Sequence, residues 1–315
     1  MFIWRSMMNH QEVREFCEQR GIQALANPSR FTPAVKPEFQ FRKEHVIELV
    51  GFWMLGEIAM MLRGPSGCGK TALVEQFHAA MNFPLFQPAT HARTEAPDLN
   101  GQIIPTKDGF KYVYGMLVEA ARHGCSVFLD EYNVMDSAVT TSLNPMLEGG
   151  KIDIAETGET IVPKPGFRVF AACNPNDKGL GFFGRNEEDA SNKERFWVVE
   201  LGYPEPDQEE PIVAKILEQA LDPQTAQSIA GKMVELANKI RSQYMGSNTA
   251  ADALEVTMST RTLCRWAKAM TVFGGPGGAP NVVSFTLARA LTNNAPVETR
   301  NAIHEYVRDI FGDTA

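Results

Sequence analysis

Long apolar runs are missing from this chain. The apolar stretch Val50–Leu62 is too short to span a bilayer and carries Glu57. It reads as the end of a helix running into a buried strand. Met1–Met8 is too short for the apolar region of an export signal, so a cytoplasmic location and no membrane association are expected. An excess of basic residues is also missing: 30 Lys and Arg against 38 Asp and Glu leave a formal charge of −8. That balance argues against a broad surface for a nucleic-acid backbone, although a local basic pore would escape it. Cysteine is sparse and unpaired in pattern. Cys17, Cys68, Cys125, Cys173 and Cys264 are odd in number, with no CxxC pair, which fits reduced thiols better than disulfides or zinc. His78, His91 and His123 have no ligand spacing to one another or to the cysteines, so no metal site is expected from them. Internal repeats and low-complexity tracts are absent as well.

What remains is a 315-residue chain, 44% hydrophobic and 22% charged, with enough apolar side chains for one large domain or two ordinary ones. Residues 1–36 read as a helical arm (Gln11–Arg20) and a proline-punctuated connector. From 37 to 204, short apolar runs alternate with helical stretches, the pattern of a parallel sheet covered by helices. The expected strands are Ala59–Leu62, Pro84–Gln87, Val127–Leu129, Arg168–Ala172 and Trp197–Leu201. Helices are expected at Thr71–Met81, Met116–His123 and Ser137–Glu148. Two hairpins interrupt the alternation, Gln102–Tyr114 and Lys151–Val162, each with a glycine in its turn. After Tyr203-Pro204-Glu205-Pro206 the strands stop, and 205–315 reads as helices only. The expected fold is therefore an α/β core with a five-stranded parallel sheet and two inserted hairpins, followed by a small all-α domain.

Gly64-Pro65-Ser66-Gly67-Cys68-Gly69-Lys70-Thr71 matches GxxxxGK[ST] between an apolar strand and a helix. Glycines let such a loop turn its backbone N–H groups onto phosphates, and the helix behind it points its positive end at the same anion. Lys70 is expected on the β- and γ-phosphates of ATP and the Thr71 hydroxyl on Mg²⁺. The run Ser126–Glu131 supplies the second half, an apolar strand ending in two carboxylates. Asp130 is expected to hold the Mg²⁺ shell and Glu131 to polarise the attacking water. Asn174 ends the next apolar run, where an amide would orient that water and meet the γ-phosphate. The alternative for Asn174 is a turn asparagine opening Asn174-Pro175-Asn176.

The P-loop, Asp130-Glu131, Asn174 and a helical tail, in this order, resemble an AAA+ ATPase. The two hairpins are similar to those of the MoxR branch, which includes CbbQ, NorQ and GvpN. Phe128–Tyr132, Leu147–Lys151 and Pro165–Phe170 resemble CobS, the AAA+ subunit of the cobalt-inserting chelatase. The resemblance spans roughly residues 38–270. It implies a homo-oligomeric ring, such as a hexamer, that hydrolyses ATP to remodel a separate client or adaptor. That client would be a metalloenzyme or cofactor-loading complex, with a von Willebrand A-type domain in a separate protein.

By the same resemblance, Arg195 matches an arginine finger reaching the neighbouring subunit's nucleotide, with Arg185 as the fallback. Lys193-Glu194 precedes Arg195 where Leu-Asp or Met-Asp is more usual. Arg261 matches a lid arginine that touches phosphate within its own subunit; a plain surface arginine at a helix start is the alternative. The hairpin Phe110-Lys111-Tyr112-Val113-Tyr114 fits either a client-gripping pore element or a hairpin packed on its own helix. A GTP-using nucleic-acid motor like the McrB restriction enzymes, and a non-catalytic nucleotide-switched scaffold, are the competing functions.

Overall fold

The computed structural model describes residues 7–107, 109–174, 194–246, 254–275 and 277–312. Residues 175–193, which include Arg185 and nearly all of the glycine-bearing segment before Arg195, lie outside the described residues. The chain divides into two units. One comprises Met1–Pro65 and Lys70–Leu201; the other comprises Ser66–Gly69 and Gly202–Ala315.

The first unit is built on five parallel strands: β3 (Ala59–Arg63), β4 (Leu85–Phe86), β7 (Ser126–Leu129), β10 (Arg168–Cys173) and β11 (Trp197–Glu200), in the order β11-β3-β10-β7-β4. β10 lies at the centre, with Ala171 in register with Met61 on one side and Leu129 on the other. The inner strands β3, β7 and β10 are buried and apolar through their middles because both faces of the sheet are covered there, whereas the edge strand β11 exposes Val198 and Glu200. Ala59 and Met61 of β3 join one core with Val127, Leu129, Val169 and Ala171, packed on Leu117, Val118 and Ala121 of α5 (Met116–His123). Met60 and Leu62, also fully buried, alternate onto the other face. On that face Phe170 of β10 meets Phe52 and Trp53 of α2 (Lys43–Met54) and His78 of α3 (Lys70–Met81).

The chain before the sheet packs on it. β1 (Met7–Met8) pairs with β2 (Phe41–Arg42), and α1 (His10–Glu18) starts at an Asn9–Glu12 capping box. α1 lies on α3, with His10 bonded to Gln76 and Arg14 donating to the Ala80 carbonyl. The five strands and two hairpins stand where sequence reading expects them. The hairpins are β5 (Gly101–Thr106) with β6 (Gly109–Tyr114) and β8 (Ile152–Ile154) with β9 (Glu159–Ile161), and a short helix α4 (Ala96–Asn100) leads into the first.

One expectation is corrected. Ser137–Glu148 is not a single helix but α6 (Ser137–Ser142) and α7 (Asn144–Leu147), parted at Leu143. Pro145 is the reason: it has no N–H for a continuing helix, and it sits in the first turn of α7, where none is needed.

The second unit holds α8 (Pro206–Leu217), α9 (Pro223–Gly246), α10 (Thr260–Phe273), α11 (Val282–Ala290) and α12 (Val297–Phe311). Its own core is centred on Trp266, whose indole donates to Thr286, with Val213, Leu236, Leu263, Leu287 and Ile303 around it. Among the described residues no helix is long and apolar enough to cross a membrane.

Candidate nucleotide site

The C-terminal edge of a parallel sheet is where the strands hand over to loops and ligands collect. Here β3, β7 and β10 end side by side and pass directly into Gly64, Asp130 and Asn174. Gly64 N–H donates to the Cys173 carbonyl, tying the start of the P-loop to the central strand. Gly67 and Gly69 take φ of +73° and +104°, which other residues adopt only with strain. α3 then begins at Lys70, so its unpaired N–H groups face the loop.

Lys70 is buried, and its ammonium donates to the carbonyls of Gly64 (2.7 Å) and Pro65 (3.0 Å) and to Asn174 Oδ1 (2.6 Å). These three acceptors are neutral, so a phosphate oxygen entering the loop would offer the ammonium a stronger partner. Thr71 Oγ1 donates to Asp130 Oδ2 at 2.8 Å. Four of the expected site residues, from three segments of the chain, are thus linked by direct bonds. Glu131 follows with its carboxylate exposed and its backbone left-handed, φ 48° and ψ 41°. Its N–H donates to Asp130 Oδ1 at 2.9 Å.

Two groups here carry no motif and escaped sequence reading. The Thr90 hydroxyl donates to the Asp130 carbonyl, and Asn133 Nδ2 donates to the Asn174 carbonyl at 2.9 Å. The only sequence signal for either is its place just beyond an apolar run. Arg195 is engaged in its own chain, with Nε donating to Glu148 Oε1 at 2.6 Å.

Ser66–Gly69 belong with the second unit. A Cβ placed on Gly67 would lie 2.6 Å from Ser259 Cβ and Oγ and 3.5 Å from Arg261 Cβ, so glycine is required there for space as well as for φ. Cys68 is buried beside them. The Tyr203 hydroxyl donates to the Ser66 carbonyl at 3.0 Å, and burial pushes its acidity down, that is, its pKa up. Ser259 caps α10, and Arg261 is exposed in that helix's first turn.

The hairpin side chains divide between the two readings. Phe110 is 82% exposed, whereas Tyr112 and Tyr114 pack against the core. Tyr114 donates to Glu159 of the second hairpin, and the Arg122 guanidinium lies 4.0 Å over its ring. Among the described residues no group of three or more His, Cys, Asp or Glu could hold a metal ion. His78 is a core residue, with Nδ1 on the Val74 carbonyl.

Comparison with known proteins identifies the family of both units. Residues 59–196 match the AAA domain of the dynein-related subfamily, and 213–310 match the C-terminal domain of CbbQ, NirQ and NorQ. The chain is 30% identical to the protein NorQ of Paracoccus denitrificans over 257 residues, covering 81% of this chain and 87% of that one. It is 32% identical to the protein CbbQ of Hydrogenophilus thermoluteolus over 207 residues, covering 65% and 72%. It is 24% identical to the aerobic cobaltochelatase subunit CobS of a Sinorhizobium species over 302 residues, covering 92% and 86%. With its P-loop, its Asp-Glu pair and both matching domains, the chain belongs to the AAA+ ATPases of the MoxR branch, the nucleotide-binding proteins among which NorQ, CbbQ, NirQ and CobS stand.

Proposed function

We propose that this chain hydrolyses ATP at a site shared between neighbouring copies in a ring, such as a hexamer, and that the ring remodels a separate protein. The observation that carries the hydrolytic reading is the bonding of Lys70, Thr71, Asp130 and Asn174 at one sheet edge. Gly64, Pro65, Ser66, Gly67, Cys68 and Gly69 would wrap the phosphates with backbone N–H groups, and Lys70 would leave its carbonyl partners for the β- and γ-phosphates. Asp130 and the Thr71 hydroxyl form a hard oxygen pair of the kind that suits Mg²⁺. An ion held there would neutralise phosphate charge. Glu131, exposed beside Asp130, would take the proton of the attacking water, and Asn174 would orient that water. Arg261 would meet phosphate from the same chain, with residues 205–315 serving as the lid. Arg195 would act on the neighbour's nucleotide, exchanging its Glu148 partner for a phosphate.

One relative is named as a subunit of an aerobic cobaltochelatase, which supports a metal- or cofactor-loading complex as the client. A partner with a von Willebrand A-type domain would be a separate chain. A cytoplasmic location follows from this reading, and the charge of −8 speaks against a nucleic-acid track.

Phosphate release from ATP, measured per chain across a wide range of protein concentration with GTP alongside, tests the shared site. Activity per chain is expected to rise steeply and then level off. Glu131→Gln should lower it ~100-fold or more with binding retained. Arg195→Ala should lower it by roughly 10³-fold or more. Constant activity down to monomeric dilution sinks the ring, and a GTP preference moves the assignment to a nucleic-acid motor.

A further inference from the structure

The second unit buries an ion pair. Glu209 of α8 is fully buried and Arg241 of α9 is 5% exposed, and they meet through two parallel bonds: Nη1 to Oε2 and Nη2 to Oε1, both 2.8 Å. Taking both charges out of water is costly, and an apolar pair of similar volume would join α8 to α9 without that cost. The remaining bonds of the pair suggest what it does instead. Arg241 Nη1 also meets Asn238 Oδ1 at 3.1 Å, within α9. Arg241 Nε donates to the Met258 carbonyl at 2.7 Å, and the Thr260 hydroxyl donates to Glu209 Oε1 at 2.6 Å. Met258 and Thr260 flank Ser259, the residue that caps α10 and crowds Gly67. The Arg241 guanidinium also lies 4.3 Å over the Tyr203 ring, and Tyr203 in turn donates to the Ser66 carbonyl.

We propose that Glu209 and Arg241 are positioning residues for the nucleotide. They lock the start of α10, with Ser259 and Arg261, and the ring of Tyr203 against Ser66 and Gly67 of the P-loop. The pair grips both sides of the α10 cap and backs the tyrosine that holds the loop. Only hydrogen-bonding groups can fix a backbone carbonyl and a hydroxyl in this way. The inference rests on reading residues 64–71 as the nucleotide site.

Three variants of the full chain test it, with affinity for a fluorescent ATP analogue and thermal midpoint measured on each. The first is Glu209→Leu/Arg241→Met, which keeps the volume of the pair and removes its bonds. Its midpoint is expected at or near that of the wild type, with affinity weakened about tenfold or more. The second is Thr260→Val/Tyr203→Phe, which leaves the ion pair in place and removes one hydroxyl on each side. Its affinity is expected to fall roughly fivefold or more, since two net hydrogen bonds at the low end of their range already amount to that. A folded apolar pair that binds like the wild type overturns the proposal. If the apolar pair does not fold, wild-type affinity in Thr260→Val/Tyr203→Phe overturns it equally. Lys70→Ala is the third variant and the control for the parent reading. A wild-type chain that binds no analogue, or Lys70→Ala binding as well as wild type, overturns the nucleotide site and this inference with it.

Discussion

Glu131 and Asn174 are both held by neighbours that no motif names. A glutamate in the left-handed region carries backbone strain on the order of 1–3 kcal/mol and persists only where its surroundings insist on it. Thr90 supplies part of that insistence by holding the Asp130 carbonyl, and Asn133 does the same for Asn174. Asn133 Oδ1 is buried with no hydrogen-bond partner, so its amide stays there for the sake of the bond it donates. Asn133→Ala is therefore expected to lower ATP turnover by about tenfold while changing nucleotide affinity less than twofold. Steady-state turnover paired with equilibrium binding checks this, and equal losses in both would reduce Asn133 to a folding residue. The P-loop and Asp130-Glu131 stand out in the sequence because each motif is a continuous segment of backbone. Thr90, Asn133, Tyr203 and Ser259 do not. Each acts through a partner 40 or more residues away, and a side chain donating to a distant backbone leaves no periodicity to read.

Elements were legible where one period dominates. α5 is amphipathic along its whole length, and sequence reading places it at its observed bounds. β1 and β2, at two residues each, are too short to show a period. α2 was read only as the end of a helix. The break between α6 and α7 lies inside an otherwise helical pattern, and Pro145 was its only sign. The inserted hairpins depend on close backbone approach more than on side chains. A Cβ on Gly115, between β6 and α5, would collide with the Leu99 carbonyl of α4. Its φ of −74° is ordinary, so space alone demands glycine. Gly115→Ala is expected to destabilise the first unit by roughly 1–3 kcal/mol, read as a lower urea midpoint. An unchanged midpoint would mean that α4 can step aside.

At the scale of the whole molecule, each unit has a core of its own, and the first holds His78 and His45, both strongly shifted by burial. Burial pushes His78 down to about 4 and His45, with help from Arg42, down to about 3. An unfolded chain returns both to about 6.5. Because the folded values are the lower ones, their contribution is complete above pH 6.5. It is lost as the pH falls, at up to ~1.4 kcal/mol per pH unit per histidine, until the pH nears the folded values. The urea midpoint of the first unit should thus drop between pH 7 and pH 5. His78→Leu should flatten that slope, and an equal slope in the variant would assign the acid loss to other groups.

The two methionines placed back to back on β3 make the molecule its own oxidation gauge. Met60 and Met61 are 0% and 2% exposed and lie on opposite faces of one sheet, whereas Met54 and Met116 are 59% and 45% exposed. A mild peroxide pulse would convert the outer pair to sulfoxides first. Sulfoxide at Met60 alone would date an opening on the α2–α3 side, and at Met61 alone an opening on the α5 side. Both together would mark the moment the sheet itself lets go.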